Sequence, residues 1–380
     1  MKPYRSPWMD DDLEVYRDSV SRFVEAEMLP HDAKWRQQKN VGHDIWRAVG
    51  AQGFLLPDVP AEYGGGGGDF RHETIFHEEL ARRGISGFGV GVHSIAAHYV
   101  LNHGNEEQKQ RWLPRMARGE LVGAIAMSEP SAGSDLKGIR TRAELDGDHY
   151  VVNGSKIFIT NGSLAEILML VVRTDFTVTR GGLSLLMVET RDLPGFRVSR
   201  VLDKMGLHAQ DTSELFFENV RVHRSCLLGQ EGQGMHQMMA DLPYERMMVA
   251  TAGVAAMEGG LAATLAYVKE RKAFGQTIGS MQTVRHKLAE LATVTRIARV
   301  FLDDCIARQT EGTLDTETAS MAKYWISDHQ QQVLDECVQL HGGYGYMMEY
   351  LVCRMFIDSR VQRIYAGTNE IMKEVISRSL

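Results

Sequence analysis

Cysteine is scarce in this chain of 380 residues: Cys226, Cys305, Cys337 and Cys353 stand far apart, and none belongs to a CxxC pair. That spacing excludes a zinc cluster and points to a reduced compartment with inert thiols. Proline is also scarce, at 9, which leaves room for long helices. No block of basic residues occurs and the net charge is −7. Nucleic acid and anionic membrane are therefore disfavoured as main partners. No run of 18 or more apolar residues occurs, so no membrane-spanning helix is expected. The opening MKPYRSPWMDDDLEVYRDS is acidic and without an apolar signal-peptide core. The expected location is the bacterial cytoplasm, although a mature form from the mitochondrial matrix would read the same way.

What is present fits a globular protein: 44% hydrophobic and 24% charged residues. At roughly 100–200 residues per domain, two or three domains are expected. Methionine, at 20, suits irregular apolar cavities and also serves as ordinary core filler.

The pattern changes twice along the chain. In the first third, Leu13, Tyr16, Val20, Phe23 and Val24 fall at helical spacing, and Pro30 is expected to end that segment. Asn105 and Gln108 form a capping box before another helix. The run Gly64 to Gly68 lacks the Lys-Ser/Thr of a phosphate loop and predicts a flexible connection. From about residue 121 to 232, short β-branched and aromatic runs alternate with turn signals such as Asn153-Gly154 and Asn161-Gly162. Helical spacing then returns, first at Val284, Leu288, Leu291, Ile297 or Ala298, Phe301 and Leu302, and again from Ala319 to Leu340. The expectation is an α+β chain. An all-α domain (1–120) leads to an antiparallel β-sheet or barrel (121–232), then a four-helix bundle (233–380).

Five stretches have a composition suited to chemistry. The loop AMSEPSAGSDLKG (126–138) offers backbone N–H groups and the Ser128 and Ser134 hydroxyls, as an ordinary turn-rich loop also would. In KIFITNG (156–162), strand alternation sets Phe158 and Thr160 on one face, fit to cover a flat heterocycle or simply to edge a hairpin. Arg271 in RKAFG (271–275) has the fork geometry for phosphate, or is a cation at a helix C-terminus. Gly342, Gly343 and Gly345 permit close approach of backbone to a ligand, and His341 beside them reads as a packing residue without metal partners. In LPYERMMVA (242–250), Pro243 begins or kinks a helix. Glu245 is then either a first-turn carboxylate or, among Met247, Met248 and Val249, a desolvated base.

Together these stretches resemble the acyl-CoA dehydrogenase family over nearly the whole chain, and the signatures at 126–138 and 339–358 are met in full. The resemblance implies FAD, acyl-CoA substrates, a homotetramer with cofactor sites shared between subunits, and electron-transferring flavoprotein as acceptor. By the same likeness, Met127, Ser128, Phe158 and Thr160 match flavin contacts, and Ser134 matches a contact on the phosphate side of FAD or CoA. Arg271, Phe274, Gln339 and Gly343 match residues reaching FAD in the neighbouring subunit. Thr368 and Glu370 match the turn at the cofactor, while Ala366 and Gly367 adjoin the substrate, with Arg246 ordering that region.

One departure is informative. Many members carry a catalytic glutamate where this chain has Ala366, whereas the long-chain and isovaleryl types place the base where Glu245 stands. Neighbouring phrases such as GLHAQDTSELFFENVRV and MAKYWISD resemble the long-chain type more. The expected reaction turns a saturated acyl-CoA into its trans-2-enoyl-CoA. Competing readings are a branched-chain (isovaleryl) dehydrogenase, an acyl-CoA oxidase, a flavin monooxygenase of related fold, a DNA-alkylation-response homologue acting by binding, and a catalytically dead partner subunit. The acidic charge argues against DNA binding, and the presence of Glu245 with the FAD residues argues against a dead subunit.

Overall fold

The computed structural model describes residues 4–178 and 181–380. Six helices come first: α1 (Asp11–Phe23), α2 (Asp32–Gln38), α3 (His43–Ala51), α4 (Phe70–Arg82), α5 (Val90–His103) and α6 (Glu106–Ala117). The β domain follows with β1 (Gly123–Ala126), β2 (Arg142–Asp146), β3 (His149–Thr160), β4 (Ile167–Arg173), β5 (Leu183–Glu189), β6 (Phe196–Val201), β7 (Thr212–His223) and β8 (Leu227–Leu228). The chain then returns to helix in α7 (Gly234–Glu270). A small hairpin of β9 (Lys272–Ala273) and β10 (Gln276–Thr277) leads to α8 (Gln282–Thr310), α9 (Thr316–His341), α10 (Leu351–Ser359) and α11 (Asn369–Ser377).

The Asn105 capping box forms as expected, with both reciprocal hydrogen bonds at 2.9 Å. Pro30 does not stop the first segment. A π-turn over Val24–Met28 and a short 3-10 turn over Leu29–His31 carry the chain into α2, and the proline sits at the start of that turn, where no N–H is needed. The Gly64–Gly68 run is not a flexible connection either. Its amides donate to Pro60, Leu56, Val59 and Pro57 carbonyls at 2.9–3.3 Å, folding the loop back on itself. A Cβ on Gly65 would lie 2.2 Å from the Val59 carbonyl oxygen. The glycines are there for close approach.

The sheet order is β6-β7-β3-β2-β4-β5-β8, mostly antiparallel, with β1 parallel to β4. Asn153-Gly154 is not a turn. It lies inside β3 at a bulge, where a Cβ on Gly154 would meet Thr141 Oγ1 at 2.5 Å. Along β4, Ile167, Met169 and Val171 join the core shared with the helices, while Leu168, Leu170 and Val172 fill the core of the β domain. Two buried faces explain why this strand reads as an unbroken apolar run.

Helix α7 is the spine, packing against α4, α5, β5, α8, α9 and α10. Its length and mean hydropathy (1.4 over its best window) match those of a membrane span, but 72% of that window is buried inside the protein. Its apolar surface is the core. Pro243 neither begins nor ends it: the helix starts at Gly234, because burial on several sides outweighs one missing donor. Gly259 lets α4 come close, since a Cβ there would sit 2.1 Å from the Arg82 carbonyl oxygen. A buried ion cluster fastens the same junction. Arg299 on α8 pairs with Glu78 on α4 and donates to both oxygens of Glu258 on α7, at 2.8 and 3.0 Å. Arg82 adds a bond to Glu258 at 2.8 Å. On α8, Ala298 is buried and Ile297 half exposed, which settles the alternative in the stripe. All four thiols are free, and burial pushes Cys305 up to about 12 and Cys337 up to about 11.

The glycine loop gives a direct test. Gly65→Ala is expected to lower the unfolding free energy by about 1–3 kcal/mol, the usual cost of overpacking. A denaturant melt with an unchanged midpoint would show that the loop yields without cost.

Candidate active site

Glu245 lies three turns into α7 and is buried. The first-turn explanation of this carboxylate therefore fails, and the desolvated one holds. Burial pushes its pKa up to about 7. The Tyr99 hydrogen bond opposes that, Asp241 adds to it, and Arg246 opposes it. Tyr99 on α5 donates its phenolic hydrogen to Glu245 Oε1 at 2.9 Å. One turn earlier, Asp241 accepts from Asn102 Nδ2 at 2.6 Å and pairs with His103 Nε2 at 2.7 Å. Arg246 turns away from Glu245 to the start of α9, donating to Ser320 Oγ at 2.9 Å and the Thr316 carbonyl at 3.3 Å.

The Ala366–Glu370 turn is held from α9. Buried Lys323 donates to the Gly367 carbonyl at 2.7 Å and Asn369 Oδ1 at 2.9 Å. Ala366 and Gly367 both have positive φ, +50° and +83°. Thr368 is the N-cap of α11, its hydroxyl accepting from the Ile371 amide at 3.3 Å, and Glu370 sits exposed in the first turn, where the helix dipole favours it.

A second set of residues sits on the β domain. Lys156 is fully buried in β3 and donates to the Met127 carbonyl and to Glu129 Oε1, both at 2.9 Å. Glu129 also accepts from the Arg140 and Thr141 amides at 2.7 and 2.8 Å, and the Ile157 amide donates to the Ser128 carbonyl at 2.9 Å. The Met127–Ser128 loop is thereby stitched to β3, while Ser134 stays exposed. A bulge between Lys156 and Ile159 breaks plain alternation. Phe158 sits at the bulge with φ +63° and is 66% exposed. Ile159 is buried, Phe158 is turned outward at the bulge, and Thr160 is half-buried.

A third set gathers where α7 ends. Arg271, Gln339 and Gly343 line one cleft of about 580 Å³ with Tyr267, His341 and Tyr344. The Arg271 guanidinium lies over the Tyr344 ring at 5.5 Å, and among the described residues it forms no ion pair. His341 stacks on Tyr267 at 4.2 Å and bonds the Cys337 carbonyl at 2.8 Å, the packing role expected of it. Phe274 tips the hairpin, 95% exposed, with φ +52°. No hydrogen bond, ion pair or ring contact among the described residues links this set to the β-domain set. Each set taken by itself has groups that suit part of a flat, phosphorylated cofactor: an outward aromatic ring and hydroxyls beside a stitched loop on the β domain, and a guanidinium in a glycine-edged cleft at the end of α7. Tyr99, Asp241, Lys156 with Glu129, and Lys323 were missed from sequence, since each acts across the fold; Tyr99 is 146 positions from Glu245.

Family models cover the chain as the acyl-CoA dehydrogenase N-terminal domain (residues 10–120), middle domain (124–220) and C-terminal domain (232–380). The chain belongs to the acyl-CoA dehydrogenase family, and is an oxidoreductase. The long-chain specific acyl-CoA dehydrogenase of pig (Sus scrofa) mitochondria is 46% identical over 97% of this chain and 86% of that protein. The crystal structure of an acyl-CoA dehydrogenase from Geobacillus kaustophilus superposes with a TM-score of 0.96 at 44% identity, covering 99% of each chain. A glutaryl-CoA dehydrogenase from Mycobacterium smegmatis in complex with FADH2 is similar at a TM-score of 0.91 and 28% identity, over 98% of this chain and 95% of that one.

The buried pair under the Met127 loop is open to test. Lys156→Met leaves Glu129 buried without its cation and is expected to cost about 3–5 kcal/mol of stability. Denaturant unfolding measures it, and a loss below about 1 kcal/mol, the range of surface pairs, would mean the pair is solvated.

Proposed function

We propose that this enzyme removes two hydrogens from a fatty acyl-CoA, of the long-chain class, to give trans-2-enoyl-CoA in fatty-acid β-oxidation. The observation that carries the reading is Glu245: a carboxylate inside an apolar helix seam, with a pKa near 7, in a chain whose other family position for the base is Ala366. A base is most useful when its pKa lies near the working pH. The 46% identity to a long-chain specific relative supports the substrate class.

Glu245 takes the proton from Cα. FAD, when bound, supplies the acceptor for the hydride that leaves Cβ, so the C–C bond becomes double and the electrons balance. Negative charge then gathers on the thioester oxygen, and fixed backbone donors stabilise it best. The Ala366 amide is our candidate donor, with Lys323 holding the turn through the Gly367 carbonyl. Alanine at 366 gives up a side-chain role and keeps the backbone one. Arg246 keeps the start of α9 in place beside the base. Met127, Ser128, Ser134, Phe158 and Thr160 would hold FAD from one subunit, with Thr368 and Glu370 at the turn. Arg271, Phe274, Gln339 and Gly343 would hold it from the neighbour in a homotetramer. Ser134, Arg246, Ala366 and Gly367 would border the acyl-CoA. Electron-transferring flavoprotein is the acceptor in this reading, and the bacterial cytoplasm the location.

Anaerobic bleaching of bound flavin by palmitoyl-CoA, octanoyl-CoA and isovaleryl-CoA reads both chemistry and class, the longest straight chain being expected to react fastest. In this assay Glu245→Gln should lose about 10²–10⁴-fold while still binding FAD. Only the ionised carboxylate accepts a proton, so wild-type kcat/KM should climb with pH through about 7. Near-normal bleaching by the variant would remove Glu245 as the base. Adding Ala366→Glu to Glu245→Gln should restore part of the rate, and no recovery would mean that a carboxylate at 366 does not reach Cα.

A further inference from the structure

A glutamate side chain has three rotatable bonds, so a buried carboxylate that must meet one particular C–H needs something to fix its direction. The charged groups around Glu245 do not do this. Asp241, on the same helix, is engaged by Asn102 and His103 from α5. Arg246 donates from Nη1 to Ser320 and Thr316 of α9, and makes no hydrogen bond to Glu245 among the described residues. Lys323, also on α9, is bonded to Gly367 and Asn369, and Glu317 lies beyond, acting on Arg246. Among the described residues, the one hydrogen-bond donor to Glu245 is the Tyr99 phenol, at 2.9 Å on Oε1.

We propose that Tyr99 is a positioning residue for Glu245, and that its phenol, rather than an ion pair, holds the carboxylate in its working direction. The inference rests on Glu245 being the base. With Oε1 taken, Oε2 is the oxygen left for the substrate proton. The phenol can do this because α5 cannot slide on α7. His98 stacks on Tyr244 at 4.1 Å, and both reach Asp58, His98 at 3.2 Å and the Tyr244 hydroxyl at 3.1 Å. Residues 98 and 99 therefore face 244 and 245, and residues 102 and 103 face 241. Three successive contacts fix the register, and the Tyr99 hydroxyl sits in a fully buried side chain with its direction set. A phenol donor also prefers the charged carboxylate, which offsets part of the burial and the nearby Asp241 charge.

The test is the pH profile of kcat/KM for the FAD-loaded, full-length enzyme with palmitoyl-CoA. Tyr99→Phe removes one donor oxygen. It should move the apparent pKa up by about one unit, so that activity on the acidic side falls about tenfold. On the alkaline plateau kcat should also drop, because the carboxylate is no longer aimed, while KM changes little. Placing 3-fluorotyrosine at position 99 keeps the shape and makes the phenol a stronger donor, so the apparent pKa should move down; this arm decides the matter if the phenylalanine variant does not fold. Profiles of both variants that overlay the wild type, with Glu245→Gln inactive, would overturn the role of Tyr99 and leave the base in place. A Glu245→Gln enzyme that stays active would instead overturn the reading beneath it.

Discussion

The structure turns on a carboxylate kept dry between two helices. Removing a charged group from water is costly, and the cost appears as reluctance to ionise. At Glu245 the Tyr99 phenol, and after it the Arg246 charge, pull against burial. Such a balance requires α5 and α7 to be held in one register. The contacts at Asp58, His98, Tyr244, Asn102, His103 and Asp241 hold that register.

The same demand explains the spine. The helix carrying this buried acid is apolar over most of its surface and takes α4, α5, α9 and β5 against it. Its acids Asp241, Glu245 and Glu258 each meet a partner. Glu258 meets Arg299 and Arg82, and Glu78 shares the same guanidinium. Breaking such a buried set by removing one partner would strand the rest, which binds the helical domains into one mechanical unit. The β domain has a core of its own on one face and shares the helical core through the other. It presents its outward ring, Phe158, from a backbone bent at a bulge.

Much of this was legible in the residues. The helical, β and helical thirds followed from periodicity, and Asn105 with Gln108 announced a helix start because capping is local chemistry. The apolar neighbours of Glu245 pointed to a desolvated acid. What escaped was non-local. Gly64 to Gly68 looked slack because composition does not show the carbonyls pressed against those glycines. Pro243 read as the start or a kink of a helix, and the start fails because burial on several sides outweighs a local rule. Asn153-Gly154 looked like a turn because close approach to Thr141 demands the same residue that a turn does. Tyr99 gave no signal at all, since nothing near it in sequence marks a hydroxyl that will meet a carboxylate 146 positions on.

The buried thiols carry a consequence for the protein's lifetime. Peroxide attacks thiolate rather than thiol, and with Cys305 near 12 and Cys337 near 11 almost no thiolate exists at neutral pH. Sulfenic acid formation at these two buried thiols is thus disfavoured. Methionines are the other oxidisable sulfur, and among the described residues Met205, 61% exposed, is the most open of them. Sulfoxide there would age the surface of the molecule while the dry seam around Glu245 stays chemically young.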